Sequence, residues 1–174
     1  MKHELLFSGI GGQGIMLLGE LLCKSIIQEG YNASFAPFYG QEKRGGRTMC
    51  NVVVSDSMES PIISEAELML VMDERSLKDF ESLVAPQGTL LINGSMIEME
   101  PSRSDITVKR LPFYEVASKI GDSKVSNLVA LGAALKYLPF IRYDSVEKEI
   151  KETFKTKPQL IDINVRALKA GYEL

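Results

Sequence analysis

Short apolar runs alternate along this chain with stretches whose apolar residues recur every three or four positions. The short runs are typical of buried strands, and the periodic stretches are typical of helices with one apolar face. The predicted strands are Glu4–Ser8, Ala33–Ala36, Thr48–Ser55, Leu68–Met72, Thr89–Ile92 and Ile106–Val108. The predicted helices are Gly12–Glu29, Asp73–Val84, Phe113–Ile120, Leu128–Leu135, Ser145–Phe154 and a last one after Pro158. The alternation predicts the α/β class: a single three-layer Rossmann-like domain, residues 1–174, with a mostly parallel or mixed sheet.

One of the predicted helices is apolar almost all round. From Leu128 to Leu135, every residue except Gly132 has an apolar side chain. Such a helix needs burial on several sides rather than along one stripe. We favour burial in the core of the domain over burial against a partner protein.

Composition and charge exclude several classes of function. The 174 residues are 45% hydrophobic and 25% charged, with a net charge of −3 and no cluster of basic residues, so we expect no nucleic-acid partner. No apolar run approaches the length of a membrane span, and the N-terminus does not resemble a signal peptide, so a cytoplasmic location is expected. With Cys23 and Cys50 far apart and His3 the only histidine, we expect neither a metal site nor an iron–sulfur cluster in this chain. Both cysteines are predicted to serve packing.

The segment Gly9–Gly14, which we call the first glycine loop, lies between the first predicted strand and helix. A helix begins with backbone N–H groups that lack internal partners and bear a partial positive charge, and glycines allow a phosphate to approach them. The spacing also fits the dinucleotide fingerprint, but the second predicted strand contains no acidic residue for the ribose. The alternatives are a phosphate-bearing ligand, a dinucleotide, or a tight turn that only packs helix on strand.

The segment Tyr39–Arg47, the second glycine loop, places two glycines between arginines in the order Arg44-Gly45-Gly46-Arg47. Guanidinium groups bind phosphate and carboxylate through paired hydrogen bonds. If strands one and two are neighbours, their carboxyl ends share an edge and the two glycine loops flank one crevice. The alternative is an exposed hairpin turn with solvated charges.

Taken together, these motifs resemble the gamma subunits of 2-oxoacid:ferredoxin oxidoreductases, and most closely the 2-oxoglutarate branch. The resemblance covers about residues 4–140. The motifs that carry it are Gly9-Ile10-Gly11-Gly12-Gln13-Gly14, Tyr39-Gly40 with Glu42, Arg44-Gly45-Gly46, Val54-Ser55-Asp56, Ser60-Pro61, Asn93, and Asn127 before Leu131-Gly132-Ala133.

The resemblance implies a function that this chain performs only within a complex. Such enzymes convert a 2-oxoacid, coenzyme A and oxidised ferredoxin into acyl-CoA, CO2 and reduced ferredoxin. The implied partners are alpha and beta subunits, and a delta subunit where one is present. Ferredoxin is expected to bind the complex rather than this chain. Thiamine diphosphate, its Mg²⁺ and the iron–sulfur clusters are expected on those partners, since Gly121-Asp122-Ser123 is the nearest approach here to a thiamine motif.

By the same resemblance, this chain has no catalytic residue of its own but helps to close the active site and contacts coenzyme A. The proposed contacts are Gly9, Gly11, Gly12, Gln13, Gly14, Tyr39, Gly40, Arg44, Gly45, Gly46, Arg47 and Asn127. Arg44 and Arg47 are expected to bind phosphate. Two other functions stay open: a stand-alone nucleotide-binding dehydrogenase, and a purely structural subunit whose glycine loops contact a sister chain.

Overall fold

A computed structural model describes residues 1–42 and 45–174, and six strands of that part form one sheet. The strands are β1 (Lys2–Ile10), β2 (Asn32–Tyr39), β3 (Arg47–Ser55), β4 (Ala66–Val71), β5 (Val84–Asn93) and β6 (Thr107–Leu111). Their order across the sheet is β2-β3-β1-β4-β5-β6. Strands β1, β4, β5 and β6 are parallel, whereas β3 is antiparallel to both of its neighbours. The predicted α/β class with a mixed sheet is confirmed.

Helices cover both faces of this sheet. They are α1 (Ile15–Gln28), α2 (Glu74–Phe80), α3 (Phe113–Ile120), α4 (Ser126–Leu135), α5 (Tyr143–Thr153) and α6 (Ile161–Tyr172). One apolar cluster joins the sheet to α1, α3, α4, α5 and α6, and a smaller cluster on the opposite face joins it to α2. The molecule therefore has three layers. Within the described ranges, no helix is both long enough and apolar enough to cross a membrane.

The condition under which the two loops were expected to share an edge, that strands one and two are neighbours, does not hold. Strand β3 lies between them and pairs with both, because β2 and β3 form an antiparallel hairpin that folds back against β1. Since β1 and β2 each oppose β3, they run in the same direction. Their carboxyl ends therefore still lie at one edge of the sheet, where Ile10 pairs with Arg47 and Tyr39 pairs with Thr48.

Several element boundaries differ from the predicted ones for local reasons. Helix α1 begins at Ile15 rather than at Gly12, because Gly14 has a left-handed backbone with φ of 71°. Strand β2 continues through Pro37 because β2 lies at the sheet edge, where a missing N–H is tolerated. Strand β5 begins at Val84 rather than at Thr89, and its pairing with β4 is irregular between these two residues.

The apolar helix α4 lies in the core, as predicted, with every residue from Ser126 to Leu135 buried. It crosses α6 at very short range. A side chain at Gly132 would overlap the backbone of α6, and one at Gly171 would overlap the backbone of α4. The close crossing explains why this helix uses small residues as well as large apolar ones.

Candidate functional site

The two glycine loops meet at the carboxyl edge of β1 and β2. The Gly11 N–H donates a 2.8 Å hydrogen bond to the Gly46 carbonyl, and the Gly40 N–H donates a 2.7 Å bond to the Arg47 carbonyl. The first bond joins the loops to each other, and the second closes the second loop on itself. The shared rim that was expected from neighbouring strands thus exists, although β3 rather than direct pairing of β1 with β2 creates it.

A cavity of about 650 Å³ opens between the two glycine loops. Its volume lies within the range of small-molecule sites, roughly 300–1,000 Å³. Eight predicted site residues line it: Gly11, Gly12, Gly14, Tyr39, Gly40, Gly45, Gly46 and Arg47. Gly9, Gln13 and Asn127 do not line it, and Arg44 lies outside the described residues. Four lining residues were not predicted: Ile15, Met16, Glu42 and Thr48.

The N-terminus of α1 lies in the wall of this cavity. Gly14 precedes the helix, and Ile15 and Met16 of its first turn line the cavity. No described side chain caps the helix, and its first turn contains no acidic residue. The N–H groups of this turn lack intrahelical acceptors, so the positive end of the helix dipole remains available to an anion.

The glycines of the first loop are required for different reasons. A Cβ at Gly12 would point into open space, and the φ of +93° at this residue favours glycine. At Gly14 the corresponding space is taken by the Asn127 side chain, whose Cγ would lie 2.8 Å from a Cβ. At Gly9 it is taken by the Gln13 side-chain oxygen, 2.5 Å away. Close approach of a ligand can therefore explain the glycine at position 12, whereas packing explains positions 9 and 14.

Ion pairs with α2 hold the charged side chains of the second loop. Arg47 pairs with Asp79, and its guanidinium lies 5.1 Å from the centre of the Phe80 ring. Glu42 pairs with Arg75 at 3.0 Å. A hydrogen bond from the Glu42 backbone N–H and then the Arg75 guanidinium hold the pKa of the Glu42 carboxyl below its usual range. Arg47, expected to bind phosphate, thus has its charge already paired, and a carboxylate lines the same cavity.

A smaller cavity of about 470 Å³ lies beside the first one. Gly40, Gln41, Glu42, Arg47 and Arg75 line it, so the second loop forms a wall of both cavities. Sequence reasoning missed Arg75 and Asp79 because both come from α2, more than 25 positions beyond the second loop. Only the antiparallel return of β3 and the position of α2 over the sheet bring them there.

The remaining reactive side chains offer little chemistry. Both cysteines are free and buried, and burial raises the pKa of the Cys50 thiol to about 12, so the thiolate is not available. The predicted packing role of the cysteines is confirmed. Among residues 1–42 and 45–174, no group of three or more His, Cys, Asp or Glu side chains could hold a metal ion.

Comparison with known sequences gives a family match over almost the whole chain. The family model described as pyruvate ferredoxin/flavodoxin oxidoreductase matches residues 4–174. The ketoisovalerate oxidoreductase subunit VorA of Methanothermobacter thermautotrophicus is 33% identical over 168 residues, which is 95% of this chain and 35% of VorA. The chain thus spans about a third of that relative's length. The 2-oxoglutarate synthase subunit KorC of Methanocaldococcus jannaschii is 27% identical over 178 residues, 100% of this chain and 94% of KorC.

Solved structures share the fold. The gamma subunit of a keto/oxoacid ferredoxin oxidoreductase from Geobacter sulfurreducens PCA superposes with a TM-score of 0.83 at 24% identity, covering 98% of this chain and 96% of that one. A 2-oxoglutarate:ferredoxin oxidoreductase from Magnetococcus marinus, solved with 2-oxoglutarate, coenzyme A and succinyl-CoA, gives a TM-score of 0.89 at 18% identity. It covers 99% of this chain and 30% of the Magnetococcus chain. At these identities the likeness is one of fold.

Proposed function

Because this chain belongs to the pyruvate ferredoxin/flavodoxin oxidoreductase family, we propose that it is the gamma-type subunit of a 2-oxoacid:ferredoxin oxidoreductase and contacts coenzyme A in that complex. The family assignment agrees with the resemblance drawn from the two glycine loops. In the proposed reaction, a 2-oxoacid anion, the coenzyme A thiol and two oxidised ferredoxins yield acyl-CoA, CO2, two reduced ferredoxins and one proton. Alpha and beta subunits would supply the thiamine diphosphate, its Mg²⁺ and the iron–sulfur clusters.

The observation that supports coenzyme A as the ligand is the cavity between the two glycine loops. Coenzyme A has a 3′-phosphate and a diphosphate, and both are anions of the kind that helix N-termini bind. The first turn of α1 and the open side of Gly12 offer backbone N–H groups and space at the same wall of the cavity. This chain would therefore bind and orient the coenzyme, while the bond-forming chemistry takes place on the sister subunits.

The proposed 2-oxoacid is 2-oxoglutarate. What supports it is that 2-oxoglutarate synthase subunits of four organisms match this chain over 84% or more of their own length. The ketoisovalerate oxidoreductase subunit is about three times as long as the matched part, but a pyruvate synthase subunit matches at nearly equal length, so the choice depends on the following test. The test is to supply the assembled complex with 2-oxoglutarate, 3-methyl-2-oxobutanoate or pyruvate in turn. A kcat/KM that is highest for either of the other two acids would contradict this choice.

The stand-alone dehydrogenase fits the structure poorly. Dinucleotides bind to a βαβ unit in which the first helix joins two parallel, neighbouring strands. An acidic residue after the second strand binds the ribose. Here β3 separates β1 from β2 and runs antiparallel to both, and β2 contains no acidic residue. The structural-subunit alternative makes a different prediction, which the following pair of variants tests.

Gly12 and Gly30 provide a matched pair of substitutions. Their φ angles are +93° and +92°, and a Cβ at either would meet no described atom within 4 Å. Alanine should therefore impose the same backbone strain on both, about 1–2 kcal/mol. Only Gly12 lines the cavity. In the assembled complex, we expect Gly12→Ala to raise the KM for coenzyme A about tenfold, as the loss of one charge-assisted hydrogen bond would, and Gly30→Ala to leave it unchanged.

Steady-state titration of coenzyme A at saturating 2-oxoacid and ferredoxin measures this difference, and thermal unfolding checks that the two variants lose similar stability. Equal KM values for the two variants and the parent complex would contradict coenzyme A binding at this cavity. If Gly12→Ala instead weakened assembly with the sister chains, the loop would be an interface and the structural-subunit function would be favoured.

A further inference from the structure

Two side-chain amides, those of Gln13 and Asn127, hydrogen-bond to the first glycine loop, and a third, that of Asn93, shares a carbonyl acceptor with Gln13. Gln13 belongs to the loop itself, Asn93 ends β5, and Asn127 lies in the first turn of α4. Asn93 is only 1% exposed and Asn127 only 3%. None of the three lines either cavity. Gln13 and Asn127 therefore support the loop from the protein side rather than from the ligand side, and Asn93 lies behind Gln13.

Asn127 fixes the residue that precedes α1. Its Nδ2 donates a 3.0 Å hydrogen bond to the Gly14 carbonyl, which also accepts the first helical bond, at 3.1 Å, from the Leu18 N–H. The Asn127 side chain also fills the space where a Cβ of residue 14 would lie. The position and the left-handed conformation of Gly14 are thus set by α4, an element more than 100 positions away in sequence.

Gln13 and Asn93 fix the other half of the loop. The Gln13 Oε1 accepts a 2.8 Å bond from the Ile10 N–H, and its Nε2 lies 3.4 Å from the Met72 carbonyl. That carbonyl also accepts a bond from the Asn93 Nδ2 at 3.3 Å. The Met72 N–H in turn donates to the Ser8 carbonyl at 2.9 Å. The loop is thereby tied to the ends of β4 and β5 as well as to its own strand.

These amides are poor choices for stability alone. A buried amide is costly unless its hydrogen bonds are made, and the Asn93 Oδ1 has no hydrogen-bond partner among the described residues. Helix α4 is otherwise apolar beyond its first two residues, so an apolar side chain at position 127 would suit its packing. What the polar side chains provide is a fixed direction for the backbone groups of the loop.

We infer that Gln13, Asn93 and Asn127 are positioning residues, which hold the first glycine loop in the conformation that directs N–H groups towards an anionic ligand. The inference rests on the proposed function for the identity of that ligand. In this inference Gln13 and Asn127 do not contact the ligand themselves. They hold the backbone groups of Ile10, Gly14 and Met72 in place through hydrogen bonds. With the Gly14 carbonyl bonded to Asn127 and Leu18, the peptide groups at the start of α1 cannot rotate to present an oxygen to the phosphate.

Asn164 supplies the matched control. It is 5% exposed, and its Nδ2 donates a 2.8 Å bond to the Leu160 carbonyl at the start of α6, away from both cavities. The test compares Asn127→Asp with Asn164→Asp in the assembled complex. Each change replaces a donor by a carboxylate oxygen beside a backbone carbonyl. Asn127→Ser and Asn164→Ser form a second pair without a buried charge, in case the aspartates prevent folding.

Two measurements are made on each pair. Hydrogen exchange of the segment 9–17 reports loop order without any ligand, and steady-state kinetics report the KM for coenzyme A. We expect the Asn127 variants to accelerate exchange in 9–17 and to raise the KM for coenzyme A about tenfold, the effect of one misplaced hydrogen-bond donor. The kcat and the KM for the 2-oxoacid should not change, and the Asn164 variants should leave all of these values at the parent level.

The outcomes separate the two claims. Unchanged exchange in 9–17 for a folded Asn127 variant, or the same increase in the Asn164 variants, overturns the positioning inference. Faster exchange that is specific to the Asn127 variants supports positioning. If the KM for coenzyme A then stays constant there and in Gly12→Ala, the proposed ligand is wrong while the positioning of the loop stands.

Discussion

The first glycine loop is held by hydrogen bonds to buried amides, whereas the second is held by ion pairs at the surface. Gly14 is bonded to Asn127, which is 3% exposed, while the Arg47 and Asp79 side chains that anchor the second loop are each about one-third exposed. Water and salt weaken exposed ion pairs but have little access to buried hydrogen bonds. The two walls of one cavity thus differ in rigidity: one is preorganised and the other is adjustable.

This difference matters for a site that binds an anion within a complex. A preorganised wall directs its N–H groups without a cost on binding, because the order is already built into the fold. In the adjustable wall, Arg75 can exchange its partner Glu42 for a phosphate, because both groups offer anionic oxygens to the guanidinium. We therefore expect substitutions that disturb the hold on the first loop to cost more stability than those that disturb the hold on the second.

Alanine at Gly14 or at Gly45 gives the largest expected contrast between the loops. Both residues have positive φ, +71° and +61°, and both line the cavity. At Gly14 a Cβ would also overlap Asn127, so we expect a loss of about 3–4 kcal/mol in the free energy of unfolding. At Gly45, where no described atom lies within 4 Å of a Cβ, only the backbone strain of about 1–2 kcal/mol should remain.

Urea unfolding of the chain measures this contrast, with Gly30→Ala as the control for backbone strain alone. Equal losses at Gly14 and Gly45 would mean that Asn127 yields easily, and the first loop would not be the rigid wall. This experiment needs neither a ligand nor the sister subunits.

The contrast between the loops also marks the limit of what the sequence predicts. The strands and helices follow from hydrophobic periodicity, and the burial of α4 follows from its being apolar almost all round. The insertion of β3 between β1 and β2, which brings the two loops together, does not follow from the sequence, because a run of β-forming residues specifies a strand without specifying its neighbour.

The side chains that hold each loop could not be predicted for a related reason. Asn127 was identified as a site residue by motif, but its contact with Gly14 depends on how α4 packs against the start of α1. Asp79 and Arg75 have no motif at all, and only the fold places them beside Arg47 and Glu42. Long-range packing decides which polar groups meet, and one sequence does not contain that information in any local pattern.

An intermediate effect is expected from Asp79→Asn, which removes the ionic anchor of the second loop. The side chains of the Arg47–Asp79 pair are each about one-third exposed, so we expect a loss of about 0.5–1 kcal/mol in the free energy of unfolding. Hydrogen exchange in segment 39–47 should become faster, and segment 9–17 should not change. In the parent protein, raising the ionic strength should have the same selective effect on 39–47.

Asp162→Asn is the control. It breaks an exposed 3.0 Å ion pair with Arg166 on α6, and neither residue lines the cavity. It should alter neither segment. If salt and Asp79→Asn accelerated exchange equally in both loops, the loops would move as one unit and the distinction between them would be lost.

The smallest effect on stability, and the most direct test of the adjustable wall, is expected from Glu42→Gln. Glu42 lines both cavities and pairs with Arg75 at 3.0 Å, and Arg75 is 54% exposed. Removing the carboxylate should leave the unfolding free energy within about 0.5 kcal/mol, because exposed pairs contribute little. It should lower the KM for coenzyme A a few-fold at low salt, since one negative charge leaves the cavity and Arg75 is released to bind phosphate.

Glu100→Gln, which breaks the exposed pair with Arg110 elsewhere on the surface, should have no effect on this KM. A KM that rises in Glu42→Gln would show instead that Glu42 holds the second loop in its binding conformation, and the two walls would then be alike in being preorganised.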